Sequence, residues 1–322
     1  MRVIDADKVA KALSYPRLID VLATMFETGA AAPPRHHHTI ALDDRPDATL
    51  LLMPAWTLSA RGKATAGRYA GIKSVSVFPD AARVGQPSVQ GAYLLFDTES
   101  GAPLALIDAP ALTAWRTAAA SALAARYLAR RDASRMVMVG AGSLAPFLVR
   151  AHAAVRPIRE VVVWNRSQDR AEALVATLAA EGFAASTTQD LEGAVRRAHI
   201  ISTATLSSRP VVLGAWLAPG AHLDCVGAFR PTMRETDDAA VRRARIFVDT
   251  RAGALSEAGD LVIPLGEGVI GAGDIVAELA EIVTGAIPGR RDAGEITIFK
   301  SVGASIEDLA AAIEVYEHVA ES

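Results

Sequence analysis

A glycine-rich turn is the clearest chemical signal in this sequence. Gly140, Gly142 and Ala145 follow the apolar run MVMV and precede a helical pattern, in the spacing G-x-G-x-x-A. The first glycine permits a tight turn, the second lets the backbone approach a pyrophosphate, and the small third residue lets helix and strand pack closely. A helix that begins here also presents N–H groups to phosphates. We therefore predict a dinucleotide site formed by Gly140, Ala141, Gly142, Ser143, Leu144 and Ala145.

The end of the next predicted strand indicates which dinucleotide binds. Asn165, Arg166 and Ser167 follow the strand EVVVW, and the next acidic residue is Asp169. An NAD site usually carries an acidic residue at this strand end, where it binds the ribose hydroxyls. Amide, hydroxyl and guanidinium donors suit a 2′-phosphate, which a carboxylate would repel. We predict NADP(H) as the preferred cofactor and NAD(H) as the alternative, although Arg166 and Arg170 would also fit a solvated helix face.

Three cationic residues stand out in or beside the N-terminal part of the chain. Arg35 follows two prolines, Lys73 lies in the strand-like run GIKSVSVF, and Arg116 lies among the small residues of LTAWRTAAAS. A cation in apolar surroundings rarely lacks a partner. Arginine can bind a carboxylate bidentately, and a partly buried lysine can be tuned for acid–base chemistry. The partner is either a substrate carboxylate or an acidic residue of the chain itself, and the sequence leaves both readings open.

The histidines and the single cysteine do not favour a metal site. His36, His37 and His38 are consecutive, and neighbouring side chains of a strand point to opposite faces, so the three cannot share one ion. We predict no metal, and we assign His38 to the substrate pocket. Cys225 lies in the apolar run AHLDCVGA and is predicted to be a core residue. A lone cysteine also excludes an intrachain disulfide and a cysteine-rich zinc module.

Two successive patterns of elements position these residues. The chain to about Ala30 predicts two short helices, with Asp5 or Asp7 at a cap. Strand-like runs at Thr49–Met53, Gly71–Phe78 and Gly91–Asp97 are separated by turn residues, which predicts a mainly antiparallel sheet. A helix is predicted over residues 113–130, with Asp108 or Thr113 near its cap.

From Arg135 onward, short buried strands alternate with helices, which predicts a parallel sheet covered on both faces. Helical patterns return at Ala277–Gly285 and at Ser305–Val319. The fold class is therefore α/β, with a Rossmann dinucleotide-binding domain and an α+β domain built on a mainly antiparallel sheet.

Composition restricts the class of protein further. The 322 residues carry a formal net charge of −3, which excludes a generally basic nucleic-acid binder. Hydrophobic residues make up 51% of the chain, so a large core is expected. The sequence shows no signal peptide and no transmembrane run, and we expect a cytoplasmic protein without nucleic-acid or membrane partners.

Several longer blocks resemble the ornithine cyclodeaminase/μ-crystallin family. They include GIKSVSVFP, VGAGSLAP, VVVWNRS, DCVGAFRPTMRETDD and FKSVGASIEDLAAA, in family order over nearly the whole chain. The resemblance implies a substrate-binding and dimerisation domain of residues 1–115 and 301–322, a Rossmann domain of residues 116–300, and a homodimer. It also implies that Arg35, Lys73 and Arg116 contact substrate, with both arginines on its carboxylate.

Two departures from the cyclodeaminases point to another branch of this family. Phe229 stands where a cyclodeaminase carries a catalytic aspartate, and no acid follows the second Rossmann strand. Both features resemble the ketimine reductases, which include bacterial Δ1-pyrroline-2-carboxylate and Δ1-piperideine-2-carboxylate reductases. We therefore predict an NADPH-dependent reductase of cyclic imino acids that forms L-proline or L-pipecolate. An ornithine cyclodeaminase, an alanine or opine-type dehydrogenase, and a non-catalytic μ-crystallin-like binding protein are the alternatives.

Further residues complete the predicted site. The substrate pocket is assigned to His38, Met53 and Phe229. The additional cofactor contacts are assigned to Thr117, Ala204, Thr205, Val226 and Gly227.

Overall fold

The computed structural model describes residues 1–58 and 68–321, and the chain forms two compact units. The first unit contains Met1–Thr117 and Ala304–Ser322, and the second contains Ala118–Gly303. The sequence predicts these boundaries at residues 115/116 and 300/301. The chain thus leaves the first unit, builds the second, and returns to the first for its last helix.

The first unit combines one sheet with a set of helices. Its strands are β1 (Arg2–Ile4), β2 (Ala30–Ala31), β3 (His36–Ile40), β4 (Ala48–Thr57), β5 (Tyr69–Val77), β6 (Val89–Asp97) and β7 (Pro103–Asp108). Its helices are α1 (Ala6–Ala12), α2 (Tyr15–Thr28), the first part of α3 (Ala109–Leu128), and α11 (Ser305–Glu321). Asp5 caps α1 by accepting from the backbone N–H of Lys8, as its position in the sequence predicted.

The sheet order is β1-β7-β6-β5-β4-β2, and β3 also pairs with β4. Every described pairing except that of β1 with β7 is antiparallel, so the predicted mainly antiparallel sheet is confirmed. One face is deeply buried, because α11 packs against β4, β5 and β6 and also against α2. The alternation of strand residues therefore decides which side chains lie beneath α11.

Helix α3 begins immediately after β7. The Asp108 carboxylate accepts a hydrogen bond from the backbone N–H of Ala111 at 2.8 Å, which satisfies one of the free N–H groups at the helix start. Alanines fill most of the buried positions of this helix and let neighbouring elements approach closely. Arg116 lies two turns into α3.

The second unit is a parallel α/β structure. Its strands are β8 (Arg135–Val139), β9 (Glu160–Trp164), β10 (Ala185–Thr187), β11 (Ile200–Thr203), β12 (His222–Cys225), β13 (Arg245–Val248), β14 (Ile275–Glu278) and β15 (Thr297–Lys300). Its further helices are α4 (Ala145–Val155), α5 (Gln168–Ala180), α6 (Leu191–Arg197), α7 (Asp238–Arg243), α8 (Arg251–Glu257), α9 (Gly259–Gly266) and α10 (Leu279–Val283).

The strand order in this unit is β10-β9-β8-β11-β12-β15-β13-β14, and all described pairings are parallel. The first five strands thus follow the doubly wound order of a Rossmann domain, with the switch point between β8 and β11. Cys225 is completely buried among apolar side chains, as predicted. The predicted helix at Ala277–Gly285 needs correction, because Ala277 and Glu278 belong to β14, which pairs with β13, and α10 begins only at Leu279.

Candidate active site

Lys73 lies on the buried face of the first unit, in the middle of β5. In the sheet register Lys73 is flanked by Met53 on β4 and Tyr93 on β6. Lys73 is only 3% exposed, Met53 is equally buried, and Tyr93 is fully buried. The predicted pocket residue Met53 is therefore a direct cross-strand neighbour of Lys73.

The ammonium group of Lys73 lies against a buried carboxylate from α11. Its Nζ is 2.9 Å from Oδ1 and 2.8 Å from Oδ2 of Asp308, and it donates a longer hydrogen bond of 3.4 Å to Thr113 Oγ1. Burial lowers the pKa of Lys73 to about 8, with the charges of Arg116 and Arg35 acting in the same direction and that of Asp308 opposing them. An amine with this pKa exchanges a proton close to neutral pH.

Arg116 is held by two adjacent acidic residues of the same helix. Its Nη1 donates to Glu307 Oε2 at 2.6 Å, and its Nε lies 2.8 Å from Asp308 Oδ1. Burial would raise the pKa of the Asp308 carboxyl, but the charges of Arg116 and Lys73 keep that pKa below its ordinary value. Asp308 is therefore a carboxylate shared by both cations. Asp308 and Glu307 are not among the residues predicted from the sequence, although two consecutive acids among the apolar residues of SIEDLAAA were an available signal.

The other predicted residues of the first unit lie in different positions. Arg35 is half-buried, and its positive charge acts on the pKa of both Lys73 and Asp308, which places it near this cluster. Thr117 follows Arg116 on α3 and is nearly buried.

The assignment of His38 needs correction. His38 pairs with Leu50, which is an odd number of residues from Met53, so its side chain lies on the face of the sheet opposite to Lys73. His37 pairs with Leu51 and shares the face of Lys73 instead.

The glycine turn of the second unit lies at the switch point of the parallel sheet. Gly140 has φ +108°, and a Cβ there would lie 2.6 Å from the carbonyl oxygen of Ala204, so only glycine fits. At Gly142, in contrast, no protein atom lies within 4 Å of the place that a Cβ would take. The fold itself does not require glycine there, and a bound pyrophosphate would use that open space. Helix α4 also begins without a capping side chain, which leaves its N-terminus suited to phosphate.

The residues after β9 divide into two groups. Asn165 supports the glycine turn, because its Oδ1 accepts from the backbone N–H of Ala141 at 3.2 Å and its amide donates to Ser167 O at 2.9 Å. Arg166 and Ser167 are exposed, and the Ser167 hydroxyl does not cap α5. Among the described residues, Arg166 forms no ion pair with an acidic side chain. Its guanidinium could therefore bind a phosphate.

The loops after β11 and β12 are joined by a carboxylate that is not among the residues predicted from the sequence. Glu235 is completely buried and accepts from the backbone N–H of Thr205 at 2.6 Å and from that of Gly227 at 2.7 Å. These loops contain the predicted cofactor residues Ala204, Thr205, Val226 and Gly227. Phe229 follows them with 40% of its side chain exposed, and the guanidinium of Arg230 lies 5.9 Å from its ring centre.

The described residues contain neither a metal-binding cluster nor a membrane-spanning helix. Among residues 1–58 and 68–321, no cluster of three or more histidine, cysteine or acidic side chains has the arrangement of a metal site. In the same part of the chain, no helix combines the length and the apolar character that a membrane span requires.

Residues 4–322 match the model of the ornithine cyclodeaminase/mu-crystallin family. The chain belongs to this family. The sequence-based recognition and the α/β fold class with a Rossmann domain are thereby confirmed.

Three relatives show the range of named activities. A Delta(1)-pyrroline-2-carboxylate reductase of Paracoccus denitrificans is 41% identical over 257 residues, which cover 80% of this chain and 81% of that protein. The solved structure of the corresponding reductase of Thermococcus litoralis, in complex with NADH and L-proline, is 34% identical with a TM-score of 0.91 and covers 100% of this chain and 98% of that one. The structure of an archaeal alanine dehydrogenase dimer with bound NAD is 31% identical with a TM-score of 0.89, and the match covers 100% of this chain and 96% of that one.

These relatives confirm the predicted enzyme class, an oxidoreductase that acts on C=N or CH–NH bonds with a nicotinamide dinucleotide.

Proposed function

We propose that this protein is an NADPH-dependent reductase of cyclic ketimino acids. Its substrates would be Δ1-pyrroline-2-carboxylate, which gives L-proline, and Δ1-piperideine-2-carboxylate, which gives L-pipecolate. The observation that carries the proposal is the buried Lys73, whose pKa of about 8 lies close to neutral and whose charge is balanced by Asp308. The names of the Paracoccus and Thermococcus relatives support the same reaction.

Lys73 would act on the nitrogen of the substrate imine. Protonation of that nitrogen makes the adjacent carbon far more electrophilic, and a lysine with a lowered pKa can donate this proton or hydrogen-bond the nitrogen. The nicotinamide, when bound, supplies the hydrogen and the two electrons that the carbon accepts. Asp308 would keep Lys73 protonated in the resting enzyme, because its charge opposes the effect of burial.

Arg35 and Arg116 would bind the substrate carboxylate. Arg116 is fixed by Glu307 and Asp308, so its guanidinium is oriented before any substrate arrives. Fixed donors reduce the entropy cost of holding a small substrate in one orientation. Phe229 would form an apolar wall that suits a ring and offers no carboxylate to a free ammonium group.

For the cofactor we propose NADP(H), with NAD(H) as the alternative. Gly140, Gly142 and the start of α4 would hold the pyrophosphate, while Arg166 and Ser167 would bind the 2′-phosphate. The exposed guanidinium and hydroxyl at the end of β9, where an NAD site has an acid, support this choice.

We also propose that the protein forms a homodimer through the outer face of the antiparallel sheet. This face carries partly exposed apolar side chains from four adjacent strands. They are Leu52, Pro54, Trp56, Ile72, Leu94, Phe96 and Leu106. A contiguous apolar surface of this kind is typical of a protein interface.

The deciding experiment is a substrate screen that follows the absorbance of the reduced nicotinamide. We expect oxidation of NADPH with both cyclic imines, faster than with NADH. A Lys73→Met variant should bind NADPH as the wild type does but lose turnover. Release of ammonia from ornithine without net cofactor turnover would instead identify a cyclodeaminase.

An alanine dehydrogenase is a second candidate, because the archaeal enzyme of that name is 31% identical over the whole chain. The same screen distinguishes it through NADH or NADPH oxidation with pyruvate and ammonia. Faster turnover with that pair than with the cyclic imines would favour this second candidate.

A further inference from the structure

Glu235 occupies an unusual position for an acidic side chain, between the ends of two parallel strands. It is completely buried. Its Oε1 accepts from the backbone N–H of Thr205 at 2.6 Å and from the Thr205 hydroxyl at 2.7 Å. Its Oε2 accepts from the backbone N–H of Gly227 at 2.7 Å and from the Thr203 hydroxyl at 2.9 Å. Each oxygen thus accepts from one backbone N–H, and the carboxylate joins the loops after β11 and β12.

Two other buried charged residues support this carboxylate. Asp260 Oδ1 accepts from the backbone N–H of Glu235 at 2.7 Å and from that of Thr236 at 3.0 Å, which fixes the segment that carries Glu235. Lys300, which is also completely buried, lies 3.3 Å from Asp260 Oδ2. Burial raises the pKa of the Glu235 carboxyl, and the positive charge of Lys300 opposes that rise. Lys300 thereby favours the ionised form, which accepts hydrogen bonds at both oxygens.

The backbones of the two loops approach each other closely at Gly227. A Cβ at Gly227 would lie 2.1 Å from the carbonyl oxygen of Thr205 and 2.4 Å from its backbone nitrogen. Close contact of two backbones brings peptide N–H groups together in a buried place, where each needs an acceptor. The Glu235 carboxylate supplies an acceptor for both.

We infer that Glu235 is a positioning residue for the cofactor: it sets the distance between the β11 and β12 loops and so the surface that binds the dinucleotide. The inference rests on the proposed dinucleotide site, because these loops lie at the carboxyl ends of strands beside the switch point. Glu235 itself would not touch the cofactor, since its four acceptor contacts are all with the chain.

The test is the isosteric variant Glu235→Gln. A glutamine amide turns one of the two acceptors into a donor, which then faces a backbone N–H and a hydroxyl. We expect NADPH, titrated by fluorescence, to bind at least about tenfold more weakly. Amide hydrogen exchange at Thr205 and Gly227 should become faster, while amides at the far ends of the strands keep their protection.

Asp224→Asn is the matched control. Asp224 is another completely buried carboxylate on β12, but its partners are His152 and Ser202. Its loss should lower stability without changing NADPH affinity. A folded Glu235→Gln protein that binds NADPH as tightly as Asp224→Asn does would overturn the inference.

If Glu235→Gln does not fold, Thr203→Val answers the same question. This variant removes one hydroxyl donor to Glu235 and keeps the carboxylate, so we expect NADPH to bind about threefold more weakly. Binding equal to that of the wild type would then refute the positioning role. Failure of the wild type to bind NADPH or NADH would refute the proposed function instead, and the exchange rates at Thr205 and Gly227, which need no cofactor, would still test Glu235.

Discussion

Replacing Asp308 by asparagine should move the pH range in which the enzyme works. The Asp308 carboxylate lies within 3 Å of Lys73 Nζ. Burial lowers the pKa of Lys73 and the charge of Asp308 raises it, and the net value is about 8. Asparagine keeps the shape of the side chain and removes the charge. If protonated Lys73 is the proton donor, kcat/KM of the wild type falls as the pH rises through about 8. In Asp308→Asn this fall should occur at lower pH.

The size of the shift follows from the geometry. Two unit charges about 4 Å apart interact by about 4 kcal/mol at an effective dielectric constant of about 20, which corresponds to about three pKa units. Relaxation and residual solvent reduce this value, and opposite charges at such distances shift a pKa by about one to three units. We therefore expect the midpoint of the variant between about pH 5 and pH 7. At neutral pH the variant should retain only a fraction of the wild-type rate and recover part of it on acidification.

The assay is the pH dependence of kcat/KM for reduction of the five-membered cyclic imine, at saturating cofactor. Glu307→Gln is the matched control, because Glu307 is the next residue on α11 and its ion pair is with Arg116. This control should raise KM through a less firmly held Arg116 and leave the midpoint near that of the wild type. A midpoint in Asp308→Asn that equals or exceeds the wild-type value would refute the role of Asp308 in keeping Lys73 protonated.

Three further predictions concern other parts of the molecule. Arg166→Ala should raise KM for NADPH by about tenfold and leave KM for NADH nearly unchanged, and equal effects on both cofactors would contradict a 2′-phosphate site. Burial lowers the pKa of His222 to about 3, whereas in the unfolded chain the pKa is near its ordinary value of 6.5. At a pH between these two values only the unfolded chain takes up the proton, so the free energy of unfolding falls as the pH falls below about 6.5. Urea unfolding should therefore show His222→Asn losing about 2 kcal/mol less than the wild type between pH 7 and pH 5, whereas identical losses would contradict a neutral buried imidazole. Leu94→Asp should convert a dimer into monomers in light scattering, while Leu255→Asp, at an exposed apolar residue of the second unit, should not.

The sequence was sufficient to predict the elements that carry the cofactor turn and the cationic residues. The MVMV strand, the glycine turn and α4 are local features, and the spacing of glycines and apolar residues determines them within about twenty residues. Lys73 and Arg116 stood out because a charge within an apolar pattern requires a partner. Both have acidic partners in the chain, so the two readings that the sequence left open are not exclusive.

Partners distant in sequence could not be predicted in the same way. Asp308 lies 235 residues after Lys73, and no periodicity indicates which helix face will meet which strand. The face of His38 depended on the pairing of β3 with β4, which a shift of one residue would have reversed. The sequence also did not indicate that Asn165, a predicted cofactor residue, accepts from the backbone N–H of Ala141 and donates to Ser167 O, although a tight turn leaves nearby backbone groups in need of partners.

Both units bury groups of opposite charge together. In the first, the carboxylates of Glu307 and Asp308 hold two buried cations. In the second, the buried Lys300 lies against Asp260, and its charge also acts on Glu235. Buried charges are costly, and apolar residues of similar volume would often give a more stable protein. Buried charges in these two clusters must therefore contribute something other than stability. In the first unit they fix Lys73 and Arg116, which are predicted to contact substrate, and in the second they fix the loops of Thr205 and Gly227, which are predicted to contact the cofactor. Fixed charges and dipoles need no rearrangement when a substrate gains charge, which is how a preorganised site lowers a reaction barrier.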